Sequence, residues 1–146
     1  MKKIGIACDH AGFEMKEFLV GYLDAQGYDV HDFGCYSEES CDYPDMAHAL
    51  AIAMENGEVE TGVALCGSAN GISMTLNKHR GIRAAICWNK ELARLARAHN
   101  DANVISLPAR FITNDNAAES VSLFLNTPFE GGRHARRVEK IAISNS

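Results

Sequence analysis

Residues 61–77 read TGVALCGSANGISMTLN, and this stretch decides the fold. Its first five residues form an apolar run that predicts a buried strand. Residues 66–71 are small or polar and predict a tight Gly-rich turn, and a short helix is expected to follow to about Asn77. A strand that passes through such a turn directly into a helix is typical of parallel α/β folds.

The same alternation extends to both ends of the chain. Strands are predicted at residues 3–7, 28–32, 61–65, 83–87 and 104–107. Besides the short helix that ends near Asn77, helices are predicted at residues 13–26, from Pro44 to about 56, at 89–99, at 114–126 and at 134–143. Gly27 is expected to end the first of these helices, and Asn114 to cap the helix at 114–126. Five strands with intervening helices predict a doubly wound, Rossmann-like α/β fold with a parallel sheet.

Composition narrows the class of protein. The chain has 146 residues, 47% of them hydrophobic and 23% charged, which predicts one globular domain over residues 1–146. A formal net charge of −5 disfavours nucleic acid and anionic membranes as partners. No apolar run reaches the roughly 18 residues of a membrane-spanning helix, and the apolar run after Lys2-Lys3 is too short for a signal peptide. We therefore expect a cytoplasmic protein.

The five cysteines are an odd number and include no Cys-x-x-Cys pair. This pattern predicts neither a disulfide framework nor a zinc site. Cys8 and Cys87 lie in strand-like apolar runs and are interpreted as packing residues. No metal and no cofactor are expected.

Ligands of doubly wound sheets bind beyond the carboxyl ends of the strands. Here those ends are followed by Asp9-His10, residues 66–71, Trp88-Asn89 and residues 108–110. In the loop 66–71, backbone N–H groups can face an anion, and the same field favours a thiolate at Cys66.

Other interpretations of this loop remain open. Cys66 could be a packed thiol beside a tight turn. A phosphatase loop would need an arginine where Ile72 stands, and a dinucleotide fingerprint would need more glycines than Gly67 and Gly71.

A second polar group lies in the C-terminal half. His134 and Arg137 are spaced i, i+3 and so share one face of the last predicted helix, with Arg133 and Arg136 beside them. Together they form a candidate phosphate clamp in an acidic protein. His99 is a candidate proton donor and acceptor. The alternatives are a solvated basic helix end and a polar helix cap at His99-Asn100.

Several motifs in order identify a resemblance. They are CDHAGFEMK (8–16), DYPD (42–45), LCGSANGISMTLNK (65–78), GIRAAICW (81–88), HNDANV (99–104) and EGGRHARRVEKI (130–141). With them the chain resembles the ribose-5-phosphate isomerase B family, which includes allose-6-phosphate and galactose-6-phosphate isomerases. The resemblance implies a three-layer α/β/α sandwich with a five-stranded sheet, and a homodimer or dimer of dimers with active sites between subunits.

The resemblance also implies roles for residues. Cys66 is the expected base that moves a proton between C2 and C1, His99 opens the sugar ring, and Ser68 with the loop amides holds the enediolate oxygen. The substrate, a small sugar phosphate, is expected to contact Asp9, His10, Tyr43, Gly67, Ser68, Ala69, Asn70, Gly71, Asn100, Arg110, Arg133, His134 and Arg137.

Two positions of the loop region bear on the branch of the family and on the sugar that is preferred. One branch of the family uses a glutamate base where this chain has Ile72, so the chain resembles the cysteine branch. The loop reads Ser68-Ala69-Asn70 where enterobacterial-type members have Thr-Gly-Val, which leaves ribose, allose and galactose phosphates open as substrates. A non-catalytic sugar-phosphate-binding module on the same fold is the remaining alternative.

Overall fold

A computed structural model describes residues 2–143. Within them the strands are β1 (Lys3–Cys8), β2 (Asp29–Asp32), β3 (Thr61–Cys66), β4 (Ala84–Ile86) and β5 (Val104–Pro108). The helices are α1 (Phe13–Ala25), α2 (Tyr43–Glu55), α3 (Asn70–Leu76), α4 (Lys90–Ala98), α5 (Asn114–Asn126) and α6 (Arg133–Glu139), with a 3-10 turn at His10–Gly12.

The five strands form one parallel sheet in the order β2-β1-β3-β5-β4, which confirms the predicted fold class. Side chains of β3 alternate between two cores. Val63 and Leu65 pack in the core that includes residues of α1, α4 and α5, whereas Ala64 and Cys66 pack in the core that includes residues of α2 and α3. A core on each face of the sheet gives the three layers of an α/β/α sandwich.

The ends of several elements differ from the sequence prediction. The cap of α5 is Thr113, whose side chain accepts a hydrogen bond from the Asn116 amide, so the assignment of the cap to Asn114 is wrong. Thr113 has the extended backbone that a capping residue needs, while Asn114 is already helical. The last helix ends at Glu139 rather than 143. Gly27 does follow the end of α1, with a φ of +91°.

Cys8 and Cys87 are both buried in the core, as predicted. Burial raises the pKa of the Cys87 thiol to about 12. Burial and the neighbouring Cys35 also raise the pKa of Cys8. Both groups are therefore neutral packing residues at physiological pH.

None of the helices within residues 2–143 combines the length and the apolar character needed to cross a membrane.

Lys16 of α1 ties the helix to the segment after β2. Its side chain is fully buried, and its ammonium group donates to Asp32 Oδ2 at 2.7 Å and to the Cys35 carbonyl at 2.6 Å. Burial acts to lower the pKa of Lys16, but the bond to Asp32 outweighs it, so that the pKa is raised and the group stays charged.

We expect Lys16→Met to destabilise the fold by about 3 kcal/mol, because it leaves a carboxylate and a carbonyl without their buried donor. Urea unfolding measures the change. Lys78→Met is the matched control, since Lys78 is exposed, and it should change stability by less than about 0.5 kcal/mol. Equal stability of the two variants would contradict the role given to Lys16.

Candidate active site

The carboxyl edge of the sheet brings together the ends of β1, β3 and β5. Cys66 lies beside Pro108 in the β3–β5 register. The Asp9 amide donates to the Leu65 carbonyl at 3.1 Å, and the Arg110 amide donates to the Gly67 carbonyl at 3.1 Å. Asp9, Cys66 and Arg110 are therefore held at one edge by backbone bonds, where the strand order leads us to expect a ligand.

The loop after β3 connects Cys66 to α3. Cys66 is 5% exposed and packs against Ile72 and Leu76 of the core under α2 and α3. Ala69 adopts a left-handed φ of +69° just before the helix. The Ser68 hydroxyl accepts a bond from the Asn70 amide at 3.3 Å. The backbone of this loop thus turns sharply over the buried thiol.

The two glycines of the loop allow close approach of neighbouring side chains. A Cβ at Gly71 would collide with the Tyr43 ring, and a Cβ at Gly67 would lie 3.3 Å from the Arg110 side chain. Tyr43 and Arg110 therefore lie against the loop, where larger residues at 67 and 71 would displace them.

Asp9 and His10 flank the loop on the β1 side. Asp9 Oδ1 accepts bonds from the Ala11 and Gly12 amides at 3.0 and 3.2 Å, so the carboxylate caps the 3-10 turn. His10 Nδ1 accepts a bond from the Cys41 amide at 3.2 Å. Because that nitrogen is an acceptor, the ring proton sits on Nε2, which makes Nε2 a hydrogen-bond donor for an anion.

A second group forms around His99. The His99 and His134 rings stack with centroids 4.1 Å apart and planes within 12° of parallel. Glu130 Oε1 lies 3.7 Å from His99 Nε2 and 3.6 Å from His134 Nε2. Desolvation, followed by electrostatic repulsion from His99 and Arg133, lowers the pKa of His134. Arg133 and Arg137 belong to the same helix as His134.

The group around Cys66 and the group around His99 lie at opposite ends of the parallel strands. His99 precedes β5, and Asn103, at the start of that strand, bonds to Gly62 and Arg83 at the amino ends of β3 and β4. Cys66 is instead the last residue of β3, at its carboxyl end. A five-residue strand spans about 16 Å, so the sheet separates Cys66 from His99 within one chain.

The structure thus divides the predicted site residues into two sets. The carboxyl edge holds Asp9, His10, Tyr43, Cys66, Gly67, Ser68, Ala69, Asn70, Gly71 and Arg110. The other set, joined through α4 and α6, consists of His99, Asn100, Arg133, His134 and Arg137.

The sequence analysis did not identify the residues that hold the His99 group in place. Arg97 Nη1 donates to Asp101 Oδ1 and to the Ala102 carbonyl, each at 2.8 Å, and so fixes the turn after His99. Glu130 is a second such residue. Its backbone amide bonds to the Ala98 carbonyl at 3.0 Å, a long-range contact without a sequence signal.

The fold defines a doubly wound α/β protein, and the polar residues at the carboxyl ends of its strands form a candidate ligand site. A model of the ribose/galactose isomerase family matches residues 4–141, and the chain belongs to that family.

Similar proteins agree with this membership. The chain is 43% identical to ribose-5-phosphate isomerase B of Escherichia coli, over 97% of this chain and 95% of that protein. The structure of a ribose 5-phosphate isomerase from Thermotoga maritima has a TM-score of 0.95 and 50% identity, covering 97% of each chain. Ribose-5-phosphate isomerase B of Mycoplasma genitalium, solved with bound ribulose-5-phosphate, has a TM-score of 0.90 and 38% identity, covering 95% and 93%.

The lowered pKa of His134 can be measured. In an NMR titration of the imidazole signals, His134 should titrate below the ordinary histidine value of about 6.5. Arg133→Ala should raise that pKa by removing a repelling charge, and Glu130→Gln should lower it by removing an attracting one. Arg136→Ala, on the same helix, is the control and should leave it unchanged. A titration at or above the ordinary value would contradict this electrostatic description.

Proposed function

We propose that the protein interconverts the aldose and ketose forms of a sugar phosphate, with ribose 5-phosphate and ribulose 5-phosphate as the preferred pair. The observation that carries this proposal is the position of Cys66 at the end of β3, under a Gly-rich loop and beside Arg110. The names of the Escherichia coli and Mycoplasma genitalium relatives support the choice of ribose 5-phosphate.

In the proposed reaction, the Cys66 thiolate removes the proton from C2 of the open-chain sugar and returns it to C1, while the proton of the O2 hydroxyl passes to O1. The enediolate that forms between these steps carries negative charge on oxygen. Ser68 and the backbone amides of the loop stabilise this oxygen, and a single donor of this kind typically accounts for about 10²–10³ in rate. The scheme needs neither a metal ion nor a cofactor.

The remaining residues open and orient the substrate. His99 exchanges protons with the ring oxygen and the anomeric hydroxyl, so that the carbonyl becomes available. The phosphate is bound by cationic and N–H donors, to which Arg110, Arg133, Arg137, His134 and His10 belong. These groups contact atoms remote from C1 and C2, so they orient the substrate and take no part in proton transfer.

The separation of the two sets of residues implies a site shared between subunits. His99 cannot reach a substrate on Cys66 of the same chain across the sheet, so a second copy must supply it. A two-fold homodimer meets this need with two equivalent sites, each formed by the loop of one subunit and α6 of its partner. Two such dimers can associate into a dimer of dimers. A cytoplasmic location remains part of the proposal.

Galactose 6-phosphate is a second candidate substrate. The family description names both ribose and galactose isomerases. Asn70 is exposed in the loop at the carboxyl edge, where its amide can meet additional hydroxyl groups of a six-carbon sugar. Assays of ribose 5-phosphate, allose 6-phosphate and galactose 6-phosphate at equal concentrations decide between them, since specificity is the ratio of their kcat/KM values.

We expect Cys66→Ala to lower the isomerisation rate by about 10²–10⁴-fold, the usual contribution of a general base. The variant should still bind a substrate analogue, because the phosphate and hydroxyl contacts remain. The measurement is exchange of the C2 proton of ribose 5-phosphate with deuterated solvent.

Cys87→Ala is the control, because Cys87 is a buried core thiol at the end of β4, and it should retain exchange. Substantial C2 exchange by Cys66→Ala would exclude Cys66 as the base. Ligand binding without turnover in the unmodified protein would instead favour the non-catalytic module.

A further inference from the structure

His99, Glu130 and His134 form a cluster that the isomerase scheme does not use as a unit. One ligand atom from each lies within 4.8 Å of the others. We propose that this cluster binds one divalent transition-metal ion of the zinc class. The ion is an inhibitor of the enzyme and has no part in its reaction.

The distances between the ligand atoms fit such an ion. Ligands of a tetrahedral zinc ion lie about 2.0–2.2 Å from the metal and thus about 3.3–3.5 Å from one another. Glu130 Oε1 is 3.7 Å from His99 Nε2 and 3.6 Å from His134 Nε2. Shifts of a few tenths of an ångström bring the carboxylate oxygen to this ligand–ligand distance from each imidazole nitrogen. Because the two rings are stacked, at least one of them must also rotate to point its Nε2 lone pair at the ion. Both separations exceed hydrogen-bond length, so the carboxylate oxygen accepts no hydrogen bond from either ring, although both contacts are within ion-pair distance.

Backbone bonds hold the three residues in this arrangement. The Glu130 amide donates to the Ala98 carbonyl at 3.0 Å, next to His99. The His134 amide donates to the Gly131 carbonyl at 3.0 Å, which fixes the start of α6. The His99 amide bonds to Leu95 at 2.9 Å. These bonds fix the backbone of the three residues before any ion binds, which lowers the entropic cost of binding.

The chemistry of the ligands selects the kind of ion. Two imidazoles and one carboxylate suit Zn²⁺, Co²⁺ and Ni²⁺, whereas Mg²⁺ and Ca²⁺ prefer sites made of oxygen. Glu130 is about half exposed and His134 only 12% exposed. The open side at Glu130 gives an ion access and leaves room for water as the fourth ligand.

Nearby charge weakens the site without blocking it. Arg133 and Arg137 lie in the same helix as His134, and their positive charges repel a cation. Glu130 is the group that offsets this repulsion, since its carboxylate attracts the ion and coordinates it. Removal of Glu130 should therefore reduce both the number of ligands and the local negative charge.

Inhibition follows from the proposed function of His99. A metal ion on His99 Nε2 occupies the lone pair that would accept a proton during ring opening. The same ion coordinates His134, so that this side chain is no longer available to the phosphate that it is proposed to contact. Zinc should therefore slow the reaction reversibly, and a chelator should restore it.

Cobalt is the probe for the binding site, because its visible absorption reports its ligands. The wild-type protein should bind one Co²⁺ per chain with the visible bands of nitrogen and oxygen coordination and without a thiolate-to-cobalt charge-transfer band. Glu130→Gln and His134→Asn should each weaken Co²⁺ binding by at least about tenfold. Glu139→Gln, an exposed glutamate at the end of the same helix, should bind as the wild type does.

Wild-type affinity in both Glu130→Gln and His134→Asn would overturn the proposal, and so would a charge-transfer band that identifies a cysteine as the ligand. Activity gives a separate comparison: measured against its own turnover without metal, Glu130→Gln should require about tenfold more Zn²⁺ for half-inhibition than the wild type does. Cobalt binding that depends on Glu130 but leaves activity intact would support the metal site and contradict the proton-transfer role of His99.

Discussion

The parallel direction of all five strands is the constraint on which the site depends. It gathers the residues that follow strands at one edge of the sheet and those that precede strands at the other. Cys66 is the last residue of β3, while His99 precedes β5, and the length of β5 separates them. A reaction that uses both side chains therefore requires two copies of the chain. Under the proposed function, oligomerisation is required for catalysis, because each subunit supplies one half of a site.

Each half is kept in place by contacts that no substrate provides. On the carboxyl edge, the Cys41 amide orients His10, and the buried Lys16 bonds to the Cys35 carbonyl in the segment that leads to Cys41. On the other side, the bond from Glu130 to Ala98 brings α6 to the end of α4. Such preorganisation lets the substrate's binding energy act on orientation rather than on ordering the protein. It also brings His99, Glu130 and His134 together in the cluster that we propose binds a metal ion.

The sequence was sufficient for the sheet and for its loop, because alternating strands and helices and the turn after Cys66 are local patterns. The cap of α5 was missed because Thr113 and Asn114 are both good capping residues, and only the backbone angles distinguish them. The opposite positions of Cys66 and His99 could have been inferred, since one follows and the other precedes a predicted strand. The Glu130 cluster could not, because it depends on a long-range backbone bond to Ala98.

Mixing two inactive variants tests the shared site most directly. Cys66→Ala lacks the base and His99→Asn lacks the ring-opening group, so each variant alone should isomerise ribose 5-phosphate slowly. After subunit exchange at equal amounts, half of the dimers are mixed, and each mixed dimer has one site with both defects and one with neither. Activity should then rise to about a quarter of the wild-type value, as a two-fold dimer with shared sites requires. Activity that stays at the average of the two parent variants, with exchange verified, would show that each chain completes its own site.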